Sequence, residues 1–274
     1  MALLNVNKEK CIKDGICASV CPRRIIKIDD SSRLPQIPPE KEELCIKCGH
    51  CVCVCPTGAL SLDSMRAADC VPLKKGWRLD PEAIEQFLKG RRSIRNYKDT
   101  PVTAETIEKL IDIARYAPSG INRHPVRWAI IDEKVKVREL ARLTVEWMRA
   151  LVKEGSQQAA SFHFDGMVRS WDKGYDNVLR DAPALAMAYA LKDDPMGRDD
   201  CVIALTYLEL AALGIGLGAC WAGYVTMAMN ASPDARKFAG LSARTACHGA
   251  MMLGYPKFEF RRIPARNRPH IRKV

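Results

Sequence analysis

The 274-residue chain lacks the signatures of several large protein classes. It has five histidines, and neither His124 nor His163 has a serine, cysteine or aspartate partner at the spacing of a catalytic triad, so hydrolytic chemistry finds no support. No helix-turn-helix, zinc-finger or RNP pattern accompanies the net charge of +11, which argues against a nucleic-acid partner. Met1–Lys10 lacks the apolar segment of a secretory leader, which predicts a cytoplasmic location.

The chain also has no uninterrupted hydrophobic run of membrane-spanning length. Cys201–Gly223 is nearly all apolar and approaches the ~20 residues that cross a bilayer. However, Glu209 lies inside this run, three glycines interrupt its second half, and Asp199 and Asp200 directly precede it. We interpret the run as a buried helix that leads into a strand, and we expect no membrane partner.

Cysteine, by contrast, is abundant: the chain has 12, and eight of them lie between Cys11 and Cys55. One run, Cys45-x2-Cys48-x2-Cys51-x3-Cys55-Pro56, has the spacing and the trailing proline of bacterial iron–sulfur loops. The other, Cys11-x5-Cys17-x3-Cys21-Pro22, has the same frame, but Asp14 replaces its second cysteine. Zinc also binds C-x2-C pairs, yet four ligands satisfy a zinc ion, and this longer pattern occurs twice. The runs therefore predict two iron–sulfur clusters in a reducing compartment.

Residues 1–62 resemble a two-cluster bacterial ferredoxin domain, because a short apolar segment follows each cysteine run. In that family the fourth cysteine of each run binds the other cluster. The resemblance implies one cluster with Cys11, Cys17 and Cys55 as ligands and Asp14 at its remaining corner. It implies a second, [4Fe–4S] cluster held by Cys21, Cys45, Cys48 and Cys51.

Asp14 leaves three alternatives open for the first cluster. A carboxylate oxygen is a harder and more labile iron ligand than a thiolate, so this cluster is either [4Fe–4S] with an oxygen ligand or [3Fe–4S] with an empty corner. In the third alternative, Asp14 is a solvent-facing loop residue beside a three-cysteine site. Cys53 lies out of register with the second run, and we expect it to be a packed thiol or a spare ligand.

Two further motifs suit a phosphorylated, planar cofactor. Segment 91–95 contains three guanidinium groups and a hydroxyl within five residues, from Arg91, Arg92, Ser93 and Arg95. Such a set of hydrogen-bond donors suits a phosphate. The turn Pro118-Ser119-Gly120-Ile121-Asn122 offers backbone N–H, hydroxyl and amide groups that can hydrogen-bond the edge of a ring. The alternative is a solvated basic helix end followed by an unrelated turn.

Together with Cys220-Trp221-Ala222-Gly223-Tyr224 and an arginine-rich tail, these motifs resemble the FMN-binding nitroreductase family over about residues 85–274. The resemblance implies that the arginine–serine segment 91–95 contacts the phosphate and ribityl chain of FMN. It implies that Pro118, Ser119 and Asn122 line the isoalloxazine ring, and that backbone amides at Ala222 and Gly223 approach the flavin N5. It further implies that Arg266 and Arg268 close on the phosphate, with Arg262 as a rival, and that no side chain acts as a nucleophile.

We expect a ferredoxin-like domain over residues 1–62, a linker over 63–79 and an FMN-binding domain over 80–274. Asp80-Pro81-Glu82 is typical of a helix start, and Thr103 caps another helix. A long helix is expected at Asp199–Leu213, and strands are expected at Val126–Ile131, Ala182–Leu191, Ala219–Val225 and Ala246–Leu253. Helices interleaved with single strands predict an α+β layered domain.

The combined resemblance implies an iron–sulfur flavoprotein oxidoreductase. Electrons would pass between the clusters and FMN, with NAD(P)H or a ferredoxin as the donor, and would reduce a small electron-poor substrate such as a nitro compound or a quinone. An electron carrier or redox sensor without a substrate of its own is the alternative. The nitroreductase resemblance also implies a homodimer with FMN at the subunit interface.

Overall fold

The computed structural model describes residues 3–274 and divides the chain into two units. The first unit contains the chain up to Leu79 together with Ile121–Arg123. The second contains Asp80–Gly120 and His124–Val274. Each unit has its own cluster of buried apolar side chains.

Short elements surround the cysteine loops of the first unit. In chain order they are β1 (Leu4–Val6), α1 (Ile16–Ser19), β2 (Lys27–Ile28), β3 (Pro35–Gln36), a 3₁₀ turn (Pro39–Leu44), α2 (His50–Val54), β4 (Leu60–Leu62), β5 (Met65–Arg66) and a 3₁₀ turn (Ala67–Asp69). Strands β1, β4 and β5 form an antiparallel sheet in that order, and β2 pairs with β3. Leu4, Leu60 and Leu62 bury their side chains in the small core of this unit.

The second unit contains one sheet and most of the helices. Its elements are α3 (Pro81–Gly90), α4 (Ala104–Ala114), β6 (Arg127–Ile131), α5 (Lys134–Lys153), α6 (Gln157–Ser161), α7 (Phe164–Asp172), β7 (Ala184–Leu191), α8 (Gly197–Gly214), β8 (Gly218–Trp221), α9 (Gly223–Ala231), α10 (Pro233–Phe238) and β9 (Thr245–Gly254). A 3₁₀ turn (Gly120–Asn122) precedes β6, and its Ile121 and Asn122 belong to the first unit. The sheet has the order β6-β7-β9-β8, and all its pairs are antiparallel. The predicted α+β fold class is confirmed.

Helices cover both faces of this sheet, so that strand side chains alternate between two cores. Along β7, Ala184, Ala186 and Ala188 join the core beneath α4 and α8, whereas Leu185 and Met187 join the core beneath α5 and α9. This two-residue alternation is the pattern of a strand that is buried on both faces. The small alanines let α8 pack close to the sheet.

Both predicted helix caps are present. The Asp80 carboxylate accepts hydrogen bonds from the N–H groups of Glu82 and Ala83, and the Thr103 hydroxyl accepts one from the N–H of Thr106. Within residues 3–274, none of the helices combines the length and apolar character that a bilayer span requires.

One strand prediction was wrong in its second half. The segment Ala219–Val225 was expected to be a single strand, but β8 ends at Trp221 and α9 begins at Gly223. The Ala222 N–H still donates to the Ala250 carbonyl oxygen at 2.8 Å. Beyond that point the buried side chains Val225, Ala228 and Met229 recur at helical spacing, and they join the core that also contains Leu185 and Met187.

Candidate functional site

The cysteine runs line two separate cavities in the first unit. One cavity is lined by Cys11, Asp14, Cys17 and Cys55. The other is lined by Cys21, Cys45, Cys48 and Cys51. Each cavity therefore combines residues of one run with the last cysteine of the other. This is the exchange that the ferredoxin resemblance implies, and the role of these side chains as iron ligands stays a prediction.

The two loops share a local conformation that their glycines make accessible. Gly15 and Gly49 adopt the left-handed backbone region, with φ values of 73° and 74°, directly before α1 and α2. Each short helix then buries one cysteine, Cys17 in α1 and Cys51 in α2. The repeated sequence thus builds a repeated turn that directs a thiol into each cavity.

Burial favours the protonated form of these two thiols in the protein without iron. It raises the pKa of Cys17, and it raises the pKa of Cys51 to about 11. Iron that binds here must displace those protons. Across residues 3–274, no three histidine, cysteine or acidic side chains converge closely enough to hold a single metal ion. A four-iron cluster is a wider cage whose ligands stand farther apart.

Asp14 and Cys53 occupy different surroundings in the first unit. Asp14 is exposed on its loop, lines the cavity with three cysteines, and accepts a hydrogen bond from the Ile16 N–H at 3.2 Å. Cys53 lines neither cysteine-rich cavity. It was expected to be a packed thiol or a spare ligand. It is exposed instead of packed, and burial and the neighbouring Cys70 thiol raise its pKa, while its role as a ligand stays untested.

In the second unit, the arginine–serine segment 91–95 lies along the outer edge of β8. Ser93 forms a parallel bridge with Ala219, and the Ile94 N–H donates to the Ala219 carbonyl oxygen at 3.0 Å. Burial raises the pKa of the Cys220 thiol, and the nearby Ser93 hydroxyl opposes this rise. These contacts place Ser93 beside the strand that leads to Ala222 and Gly223.

Arg91 and Arg92 line one cavity, and each has part of its guanidinium group engaged. Arg91 donates from Nη1 to Oε1 of Glu209 at 2.8 Å. Arg92 donates from Nη1 to the Lys89 carbonyl oxygen at 2.8 Å, while its buried Nη2 has no partner within residues 3–274. An unpartnered, buried guanidinium nitrogen suits an anion such as a phosphate.

The remaining phosphate candidates lie in the tail. Arg266 and Arg268 are exposed in backbone without regular secondary structure after β9, and so is Arg262. The cavity that holds Arg91 is also lined by Phe258 and Phe260 at the start of this tail. The tail therefore leaves the sheet on the side of the arginine–serine segment.

The predicted ring-lining turn is divided between the units. Pro118 and Ser119 belong to the second unit, whereas Asn122 belongs to the first, where its amide nitrogen donates to the Ile46 carbonyl oxygen at 3.1 Å. Pro118 and Ser119 line a cavity next to α4 and β6, and the His124 N–H donates to the Ser119 hydroxyl at 3.0 Å. Ile121 and Asn122 have φ values of 46° and 59°, a region that non-glycine residues seldom adopt. Such strained backbone is concentrated at functional sites.

The structure does not bring this turn next to segment 91–95. The turn leads into β6, whereas the segment lies beside β8, and these strands form opposite edges of the sheet. Three strand spacings separate the two edges, a distance of about 14 Å. The candidate residues thus form two half-sites within one chain.

Ala222 and Gly223 lie at the start of α9. Gly223 is exposed, and no side chain caps this helix start. The first N–H groups of a helix have no partner within the helix, and they carry a partial positive charge. They can therefore donate to an electron-rich ring edge.

The aromatic segment 147–175 lies partly in the core and partly at the surface. Phe164 is fully buried, and its ring lies 5.4 Å from Trp147 and 5.9 Å from Tyr224, measured between centroids. Phe162 and Tyr175 are exposed. Only this exposed part is accessible to a ligand.

Two buried acids near the half-sites were missed by the sequence interpretation. Asp200 accepts a hydrogen bond from the Gly120 N–H at 2.9 Å, and Glu209 pairs with Arg91. One signal was available, because both acids lie in or directly before the apolar run Cys201–Gly223. Burial of a charged side chain costs free energy unless the charge has a partner, so each acid predicts a contact.

Family comparisons cover both units. A model of the nitroreductase family matches residues 88–255, and a model of a 4Fe-4S dicluster domain matches residues 10–59. These matches agree with the two resemblances found in the sequence.

Individual relatives match part of the chain. An iodotyrosine deiodinase of Thermotoga neapolitana is 28% identical over 135 residues, which cover 49% of this chain and 70% of the relative. A protein of Methanothermobacter thermautotrophicus, named as an NADH dehydrogenase or NAD(P)H nitroreductase, is 24% identical over 177 residues, covering 63% of this chain and 77% of the relative. The solved structure of a nitroreductase with bound FMN from Bacteroides fragilis has the same fold, with a TM-score of 0.59 and 22% identity over 71% of this chain and 100% of that one.

Proposed function

This iron–sulfur-containing oxidoreductase belongs to the nitroreductase family, and we propose that it passes electrons between its clusters and FMN to reduce a small electron-poor substrate. Nitro compounds and quinones are the substrate classes we favour. NAD(P)H or a ferredoxin is the proposed electron donor. The name of the Methanothermobacter relative supports NAD(P)H.

The observation that carries the proposal is the presence of two kinds of candidate cofactor site on one chain. One unit has two cysteine-lined cavities, and the other has arginines and a serine along β8. FMN, when bound, supplies the exchange between single electrons and electron pairs. Arg91 and Arg95 would neutralise its phosphate, and the N–H groups at the start of α9 would stabilise negative charge on the reduced ring.

We further propose a homodimer in which two copies complete each flavin site. The arginine–serine segment of one copy would hold the phosphate and ribityl chain, and Pro118, Ser119 and Asn122 of the other would line the ring. The separation of these half-sites at opposite edges of the sheet supports this arrangement. Light scattering at micromolar concentration should give a dimer, and a monomer that keeps its FMN would contradict the shared site.

The decisive experiment is anaerobic purification followed by cofactor quantitation and a turnover assay. We expect one FMN per chain and about eight irons if both clusters are [4Fe–4S]. The protein should then oxidise NAD(P)H or reduced ferredoxin in step with reduction of a nitroaromatic. If the cofactors are reduced but the nitroaromatic and a quinone are not, the carrier or sensor alternative is correct. A preparation that lacks both cofactors would contradict both functions.

A halogenated aromatic is the second candidate substrate. The sequence similarity to an iodotyrosine deiodinase specifically favours it. Release of iodide from iodotyrosine, measured beside nitroaromatic reduction under the same donor, separates the two candidates.

A further inference from the structure

We propose that Asp200 and Glu209, the two buried carboxylates of α8, position the two halves of the flavin site, the first through the turn at Gly120 and the second through Arg91. The inference rests on the proposed function, because both halves are candidate FMN contacts. Asp200 holds the ring-lining turn, and Glu209 holds Arg91.

Asp200 anchors the turn through one of its two carboxylate oxygens. Its residue exposure is 2%, and Oδ1 accepts the hydrogen bond from the Gly120 N–H at 2.9 Å. Its Oδ2 is buried without a partner in the described part of the chain. The position of Asp200 in the first turn of α8 favours a negative charge there. The carboxylate therefore binds the turn more strongly than a neutral acceptor would.

The turn needs an anchor because its backbone is strained and closely packed. Ile121, which directly follows Gly120, is β-branched and has a φ of 46°, a conformation that such residues rarely adopt. At Gly120, an added Cβ would lie 2.8 Å from Cγ of Met196. The hydrogen bond to Asp200 lies at this close approach, directly before the strained residue, so it can hold Pro118 and Ser119 in place.

Glu209 holds Arg91 at the other half-site. Its residue exposure is 7%, and Oε1 accepts from Nη1 of Arg91 at 2.8 Å. A guanidinium group has five N–H donors, so this contact leaves others free for a phosphate. A buried carboxylate beside a phosphate site also repels the phosphate. The charge of Glu209 therefore cannot raise the affinity for FMN. An orienting contact with Arg91 explains why a carboxylate lies there.

One rigid helix thus connects the two half-sites. Asp200 and Glu209 are nine residues apart in α8, or about two and a half turns, so they project from opposite sides of the helix. Leu205 and Leu208 lie between them in sequence and are buried in the core shared with the sheet. The helix therefore reaches toward the turn before β6 on one side and toward the segment beside β8 on the other.

The test compares binding of FMN and of riboflavin to the full-length, cluster-loaded protein after its flavin is removed. Riboflavin lacks the phosphate, so a residue that acts through Arg91 affects FMN alone. We expect Glu209→Ala to weaken FMN binding by about tenfold or more while riboflavin binding is unchanged. Glu209→Gln keeps an acceptor for Arg91 and should restore FMN binding.

Substitution of Asp200 should affect both ligands, because the turn that Asp200 holds lines the ring that FMN and riboflavin share. Asp200→Ala should weaken FMN and riboflavin equally, by about tenfold or more, and should shift the visible spectrum of the bound flavin. Asp200→Asn keeps a weaker, neutral acceptor for the Gly120 N–H and should restore the binding of both flavins in part. Asp199→Ala is the matched control, because Asp199 is the exposed neighbour in the same helical turn.

The outcomes separate the inference from the proposed function. If the wild-type protein binds no FMN, the proposed function fails and the inference fails with it. If the wild type binds FMN but Asp200→Ala behaves like Asp199→Ala, only the inference is overturned. Equal loss of both flavins in Glu209→Ala, or tighter FMN binding, also overturns it, because a folding defect or simple charge repulsion would then explain the result.

Discussion

Ser93 and Ala219 form a parallel bridge that fixes the arginine–serine segment against the edge of β8. The adjacent residue Ile94 packs over Gly218 so closely that an added Cβ there would lie 2.6 Å from Ile94 Cγ1. The position of the candidate phosphate site therefore depends on a main-chain contact and on the missing side chain of Gly218.

Gly218→Ala should displace this segment. The new methyl group would overlap three side-chain atoms of Ile94, and overpacking of this kind costs about 1–3 kcal/mol. We expect a lower melting temperature and FMN binding weakened by about tenfold, as measured by flavin fluorescence. Gly214→Ala is the control, because its Cβ would meet only Phe87, at 3.8 Å. If the two variants bind FMN equally well, the segment does not depend on this close approach.

Local sequence signals were sufficient to predict the starts of two helices. Asp80 and Thr103 cap their helices as predicted, because a cap depends on neighbouring residues alone. The segment Ala219–Val225 was misread, because its residues suit a buried strand and a buried helix equally well. The strand ends at Trp221 because its pairing with β9 stops there, and this pairing is a tertiary contact that the local sequence does not show.

The candidate site was predictable in its residues but not in its arrangement. The motif around Arg91 and the turn at Pro118 were both evident in the sequence, whereas their placement at opposite sheet edges follows from a strand order that no local pattern encodes. The partners of Asp200 and Glu209 likewise lie 80 and 118 residues away along the chain. Tertiary structure alone reveals contacts of that range.

Cys53 should be dispensable for cluster assembly. It is exposed and lines neither cysteine-rich cavity, whereas Cys48 lines one of them. We expect Cys53→Ser to keep the full iron content and Cys48→Ser to lose iron from the second cluster, both measured after anaerobic purification. Loss of iron in Cys53→Ser would identify Cys53 as a ligand.

His248 should make the folded protein less stable in mild acid. The register shift between β7 and β9 leaves this residue unpaired, and burial, with Arg198 nearby, lowers its pKa from 6.5, although Asp194 opposes the shift. Below pH 6.5, His248 therefore binds a proton more readily in the unfolded chain than in the folded protein. The free energy of unfolding then falls as the pH drops. Melting curves between pH 7.5 and 5.5 should show a smaller decline for His248→Gln than for the wild type. His270→Gln, in the exposed tail, should decline as the wild type does, and an equal decline in all three would contradict the prediction.

Asp14 should set the stability of the first cluster. It lines a cavity with Cys11, Cys17 and Cys55, where a carboxylate or an open corner would hold iron less firmly than a thiolate. We expect the wild-type protein to lose about one iron to a chelator under mild oxidation and to give the electron paramagnetic resonance signal of a three-iron cluster. Asp14→Cys should keep about eight irons under the same treatment.

Asp30→Cys supplies the matched control for Asp14, because it also replaces an exposed acid of the first unit but lines neither cysteine-rich cavity. It should lose iron as the wild type does, which would show that protection requires a thiol at the cluster corner. Asp14→Ala then separates the remaining alternatives. If it resists the chelator to the same degree as the wild type, Asp14 does not bind iron, and the corner is open or has another ligand. If it loses iron faster than the wild type, the Asp14 carboxylate holds the fourth iron.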